Sequence, residues 1–252
     1  MQDRFSVEVI NDDDFPELTA ALWEGFENPY QGVLRLFFPI QNNDREATLK
    51  ANIQGVKEEY YQQQPDVTWI KVVDREANNK IAAAAKWYFY KDNPYAKREG
   101  PMVADWFPEG VTRDFATQAM QQFEHPREQM ARRAHAFLHI AFALPQYRGQ
   151  GLSHLFMKWG VSKADSLGLE AWLDASKYGA PVYEKYGFRK IQPNPVKPVP
   201  SRELTEEEQK EWAICEQTIL PLNATVMWRP VGGTFVEGET PIPWQQETPD
   251  KM

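Results

Sequence analysis

The chain contains one cysteine, Cys215, so no disulfide can close within it, and such sparing use is in keeping with a reducing compartment. It contains no apolar run near the roughly 20 residues that a helical membrane span needs, and its mean hydropathy is −0.62. Positive charge is scarce. Twenty-eight Lys and Arg face 36 Asp and Glu, for a net charge of −8, which argues against the basic face that nucleic-acid binding uses. Met1-Gln2-Asp3-Arg4-Phe5 has no basic start leading into an apolar run. No secretory signal and no membrane partner are therefore expected, and the expected location is the cytoplasm, with the nucleus as the alternative. Without such a signal, Asn223-Ala-Thr225 is read as ordinary sequence and not as a glycosylation acceptor. There is no internal repeat.

What is present is enough for a large core: 42% hydrophobic residues, 13% aromatic, nine of them Trp. The 252 residues suit one large domain. We expect it to span residues 1–230, with an insertion at 91–134 and a Pro-, Gly- and Glu-rich tail at 231–252 that is poorly ordered.

Alternation predicts a strand over residues 5–10. Asp14-Phe-Pro-Glu17 has the form of a helix start, with Asp14 as cap, Glu17 reaching back and Pro16 where a missing N–H is harmless; the helix runs to Phe26, before Asn28-Pro29. A second helix is expected over 44–64. Strands are expected over 67–73 and 81–90, joined at Asn78-Asn79. A helix follows over 113–133 and a compact apolar strand over 136–144. Leu152, Leu155, Phe156 and Trp159 recur at helical spacing after a Gly-rich turn, and Gly168 closes that helix. A strand at 169–175, a short helix at 179–186 and a strand at 188–191 come next. Residues 192–200 hold four prolines and read as a crossing linker. Thr205-Glu-Glu-Glu208 is a capping box that opens a helix to Ile219, and residues 223–228 form a last strand. Strands mix with helices throughout, so the class is α/β or α+β with a mixed sheet.

The unit with chemistry is the strand, turn and helix of residues 137–159. Arg148-Gly149-Gln150-Gly151 lets backbone come close to a ligand, and the following helix offers unpaired N–H groups at its positive end. Together these suit a pyrophosphate. The turn is not a P-loop, because no Lys-Ser/Thr pair follows the second glycine, and it lacks the third glycine of a dinucleotide fingerprint. His135 and His139 lie about 13 Å apart along a strand and cannot share a metal unaided, so no metal is expected.

The stretch from Ala141 to Ser153, with Arg148, Gly151 and Ser153 at the positions of Arg/Gln-x-x-Gly-x-Gly/Ala, resembles the acetyl-CoA motif of the GNAT superfamily of N-acetyltransferases. Ser153 departs from the usual Gly or Ala. Tyr183-Glu-Lys-Tyr-Gly-Phe188 resembles the second signature of that superfamily, about 30 residues on, and the whole pattern, including Phe26-Glu-Asn-Pro29, looks most like its fungal members. The resemblance implies a central mixed sheet of about six to seven strands, splayed between strands 4 and 5 to admit the pantetheine arm of acetyl-CoA. It implies that Ala141, Phe142 and Ala143 pair with pantetheine amides, that the N–H groups of Gly149, Gln150, Gly151, Leu152, Ser153 and His154 hold the pyrophosphate beside Arg148, and that an N–H near Ala143 serves as oxyanion donor. Ser176 stands where an asparagine often meets the cofactor. Tyr183 matches the acid that protonates the departing thiolate, and His139 and Asp174 are candidate bases. The implied function is acetyl transfer to an amine of a small molecule or protein. A longer acyl group or a non-catalytic CoA-binding module is the alternative, and the chain could also form a homodimer. Trp87, Trp106 and Phe107, with the first two helices and residues 91–134, are expected to line the acceptor site.

Overall fold

In the computed structural model, residues 4–245 are described. Seven strands, β1 (Phe5–Val9), β2 (Val67–Asp74), β3 (Lys80–Tyr90), β4 (His135–Ala143), β5 (Glu170–Ala175), β6 (Arg189–Pro195) and β7 (Asn223–Arg229), form one sheet in the order β1-β2-β3-β4-β5-β7-β6. All neighbours are antiparallel except β4 and β5, which are parallel. The helices are α1 (Phe15–Glu27), α2 (Val33–Phe37), α3 (Arg45–Gln62), α4 (Val111–Met130), α5 (Leu152–Ser166), α6 (Ala180–Glu184) and α7 (Glu206–Ile219). The expected mixed α/β class is the observed one. Among the described residues no helix is long and apolar enough to cross a membrane.

The middle of the sheet is built from small residues. Ala82, Ala83, Ala84 and Ala85 of β3 are all fully buried, which lets helices approach on both faces. On one face α5 lies against Trp87, and Gly160 leaves the space that the indole fills. On the other, α1 crosses β4 at Gly25, where an added Cβ would stand 2.9 Å from the Phe142 ring. Lys86, Tyr88, Phe137 and Trp172 point to this second face, as do α3, through its Lys86–Glu59 ion pair of 2.8 Å, and α4, through Arg127 over Phe137.

Several local expectations change. Asp14 stands at the N-cap of α1 with Pro16 in the first turn, as expected, but its side chain makes no capping bond there. Asn11 caps the preceding turn, Asp14 accepts from the Asn11 N–H at 2.8 Å and from Lys71 at 2.6 Å, and Glu17 accepts from the Ile81 N–H at 2.9 Å. Strand β6 runs through the expected linker to Pro195. It is an edge strand paired only with β7, so its prolines cost no ladder bond on the open side. Helix α2 was not foreseen. Trp87 and Phe107 are core residues, while Trp106 stacks on Phe37 and donates to the Leu36 carbonyl at 2.9 Å, so these three do not form an acceptor pocket. In place of a poorly ordered tail, Phe235 and Trp244 pack on Trp228 at 6.2 and 5.3 Å. The part of that tail from residue 246 lies outside the described residues.

Candidate acyl-transfer site

Strands β4 and β5 pair only from His135↔Glu170 to Leu138↔Leu173. Beyond that rung they part. Strand β5 stays with β7 through Ala175, and β4 stays with β3 up to Ala83↔Ala143. The β3–β4 register slips there, since Lys86 faces Ile140 while Trp87 faces Leu138, so His139 is an extra residue in β4. Such a bulge bends its strand and ends regular pairing. Alternate residues over 139–143, the others being paired with β3, therefore turn backbone N–H and C=O groups to a gap that no strand among the described residues fills, the template an extended amide chain pairs with. Ala141, Phe142 and Ala143 lie along this edge. The Ala143 carbonyl is already engaged by Arg148 Nε at 3.1 Å.

At the end of β4 the chain turns through Gly149 (φ 75°) and Gly151 (φ 77°), both in the left-handed region that glycine enters without steric cost. Gly151 is the N-cap of α5 and supplies no side-chain cap. Among the described residues the N–H groups of Gly149, Gln150, Gly151, Leu152 and Ser153 donate to no protein acceptor, whereas Arg148 donates to Pro145 and His154 to Gly151, at 3.3 and 3.0 Å. Five free donors at the positive end of a 15-residue helix make an anion cradle. The Arg148 side chain is used differently from a phosphate ligand. Its guanidinium donates to the Gly25 carbonyl at 2.8 Å and to the Asn28 carbonyl, and so ties the cradle to the C-terminal end of α1. His154 Nδ1 lies 2.6 Å from the Tyr186 hydroxyl.

On the other side of the gap, the Ser176 hydroxyl accepts from the Gly179 N–H at 3.2 Å and shapes the turn into α6. Tyr183 of α6 folds back over Gly179, with 2.7 Å between an added Cβ there and Tyr183 Cε2. Burial pushes its phenol up to about 12, so it stays protonated at neutral pH. It makes no hydrogen bond to another described residue.

His139 and Asp174 are the first residues past the last paired rung, one on each lip. Each has a buried polar atom with no partner among the described residues, His139 Nδ1 and Asp174 Oδ1. Burial, with smaller effects of Lys86 and Arg127, pushes His139 well below its ordinary range and keeps the ring neutral. Burial pushes Asp174 up, and Arg127 opposes this through its charge and through a 3.0 Å bond from Nε to Oδ2. Arg127 was not singled out in the sequence, where it follows Pro126 as one charge among many on a helix. Among the described residues no three His, Cys, Asp or Glu side chains are grouped to hold a metal.

An acetyltransferase (GNAT) domain model matches residues 128–198, the segment from the end of α4 through the parting strands, the cradle, α6 and β6. No curated protein matches this sequence. Among solved structures, the chain is similar to the histone acetyltransferase HPA2 and related acetyltransferase from Corynebacterium glutamicum, with 17% identity, 93% of this chain and 99% of that one covered and a TM-score of 0.53. It is similar to the Drosophila melanogaster polyamine N-acetyltransferase, with 15% identity, 89% and 97% covered and a TM-score of 0.51. It is also similar to arylalkylamine N-acetyltransferase 2 from Aedes aegypti, with 12% identity, 90% and 99% covered and a TM-score of 0.53. The chain thus has the fold of the GNAT acetyltransferases.

Proposed function

We propose that the protein is an acetyl-CoA-dependent N-acetyltransferase whose acceptor is a primary amine. The observation that carries this reading is the parting of β4 from β5 beyond Leu138 and Leu173, with a five-donor cradle at the end of the opened strand. The residues fit the cofactor: the free edge at 139–143 matches its amides and the N–H groups of 149–153 match its pyrophosphate. Bound there, acetyl-CoA supplies an activated acyl carbon, to which an amine nitrogen bonds as the carbon–sulfur bond breaks.

The chain's own groups move the protons. Tyr183, kept neutral, donates its proton as charge gathers on the departing sulfur, and water restores it. Asp174 and His139 offer the unpartnered acceptors that receive the proton lost by the amine. An N–H near Ala143 stabilises the oxygen of the reacting carbonyl without reorganising. The amine acceptors named for the Drosophila and Aedes proteins agree with this acceptor class. The test is release of CoA thiol from acetyl-CoA against a panel of aryl, alkyl and peptide amines, with the acetylated product identified by mass. Thiol release that depends on an amine is expected. Saturable acetyl-CoA binding without transfer to any amine would instead leave a CoA-binding module.

A further inference from the structure

Arg127 is an unusual cation for a helix that borders solvent. Its side chain is 6% exposed and that of its partner Asp174 is 5% exposed. The guanidinium sits over Phe137, its Cζ 3.9 Å from the ring centroid, and donates from Nε to Asp174 Oδ2 at 3.0 Å and from Nη1 to the Tyr95 hydroxyl at 2.5 Å. A buried charge held on three sides is costly to place, and such pairs are poor sources of stability. The arrangement has one consequence that stability does not need. It fixes one carboxyl oxygen of Asp174 and leaves the other, Oδ1, buried and without a partner among the described residues at the point where β4 and β5 separate, on the lip opposite His139, whose Nδ1 is likewise without one.

We propose that Arg127 is a positioning residue for acyl transfer: it clamps the Asp174 carboxyl through Oδ2 so that Oδ1 is held in place and left free for the N–H of the incoming amine. This rests on the proposed acetyl transfer, and it makes α4, which lies just outside the two motif stretches, a working part of the site. The clamp suits a fork of donors, since a contact over the ring face and two directed bonds are made at once. An ammonium in the same place would keep the charge but lose the ring contact and one of the bonds.

The groups around Asp174 are Arg127 and Glu124 of α4, Tyr95 of the 91–110 segment, His139 of β4 and, further off, Lys86 of β3. Burial acts against the Arg127 cation, but Tyr95, Asp174 and Glu124 outweigh it, so it stays charged throughout. Burial pushes both Glu124 and Asp174 up, and Glu124 also feels Arg127, Glu128, Arg98 and Asp174. Removing Arg127 removes what opposes the rise at Asp174, so the carboxyl would hold its proton to higher pH.

The experiment is a pH titration of the Asp174 carboxyl by carbon-13 NMR on protein labelled at aspartate, the signal assigned by its loss in Asp174→Asn. Arg127→Met and Arg127→Lys are compared with wild type, with circular dichroism and acetyl-CoA calorimetry on each. We expect Asp174 to titrate about one to three pH units higher in Arg127→Met, the size of a lost opposite charge. Arg127→Lys should return most of that shift, with acetyl-CoA affinity unchanged in both. With an accepted amine, the acid limb of kcat should move with the NMR value. Identical titration of Asp174 in folded wild type and Arg127→Lys and Arg127→Met would overturn the proposal, as would an acid limb that stays put while kcat falls. Failure of wild type to bind acetyl-CoA would instead sink the transferase reading and is read in a separate arm.

Discussion

Tyr183 can fold back over the turn that follows β5 because residue 179 has no side chain. The ring occupies the space a Cβ would need. Its phenol has no protein partner among the described residues, which leaves its proton for an incoming group. Tyr183→Phe keeps the ring and its packing on Phe188 and removes only the hydroxyl that carries that proton. We expect kcat to fall about 10²–10⁴-fold, with the acetyl-CoA dissociation constant unchanged. Steady-state kinetics beside calorimetry would show this, and an equal loss of affinity would mean that the hydroxyl binds and does not donate. At this scale the sequence was informative only where a motif fixed a position. Tyr183, Gly149 and Gly151 were legible as part of such motifs. Arg127, and the unpartnered atoms of His139 and Asp174, were not, because they depend on what faces them across the sheet.

At the scale of elements, patterns closed locally were legible and those closed at a distance were not. The Thr205–Glu208 capping box and the Gly-turn before α5 are local, and both were read from a few adjacent residues. The start of α1 falls at Phe15 as its pattern implies, but the expected capping bonds do not form, because Glu17 is drawn off to the Ile81 N–H, 64 residues away. Helix α2 has only five residues and is held against α7, so its own sequence carried little signal. The packing of α5 on β3 gives a prediction whose sign is decided by magnitudes. Gly160→Ala in a helix interior would ordinarily stabilise by about 1 kcal/mol. Here the added methyl would meet the Trp87 indole, which is fully buried and has nowhere to move. Overpacking costs about 1–3 kcal/mol, so Gly160→Ala should destabilise. Urea unfolding checks this, and a raised midpoint would show that α5 can shift away from the sheet.

For the whole molecule, the burial that shapes the site also sets its tolerance of acid. His135, fully buried at the start of β4, has its imidazole pushed down to about 4, chiefly by burial; its Nδ1 is 2.6 Å from the Arg133 carbonyl. Since the folded value lies below the unfolded one near 6.5, the unfolded chain takes up the proton first. Stability should therefore be fully present above about pH 6.5 and decline as pH falls toward 4, by about 3 kcal/mol from this group. The gap in unfolding free energy between wild type and His135→Phe should narrow by that amount between pH 7 and pH 4. A constant gap would mean that His135 is protonated in the fold.

The central claim is that the strand opened beyond Leu138 and the donors that start α5 together hold the pyrophosphate-bearing cofactor. Ser153→Glu tests it most directly. A carboxylate in the first turn favours the helix by about 0.3–1 kcal/mol, so the fold should be kept or slightly strengthened, while the negative charge stands where the pyrophosphate would lie. Calorimetry with acetyl-CoA should show saturable binding to wild type and none to Ser153→Glu, with the thermal midpoint of the variant unchanged or raised. Equal binding by the two proteins, or no binding by folded wild type, would contradict the account.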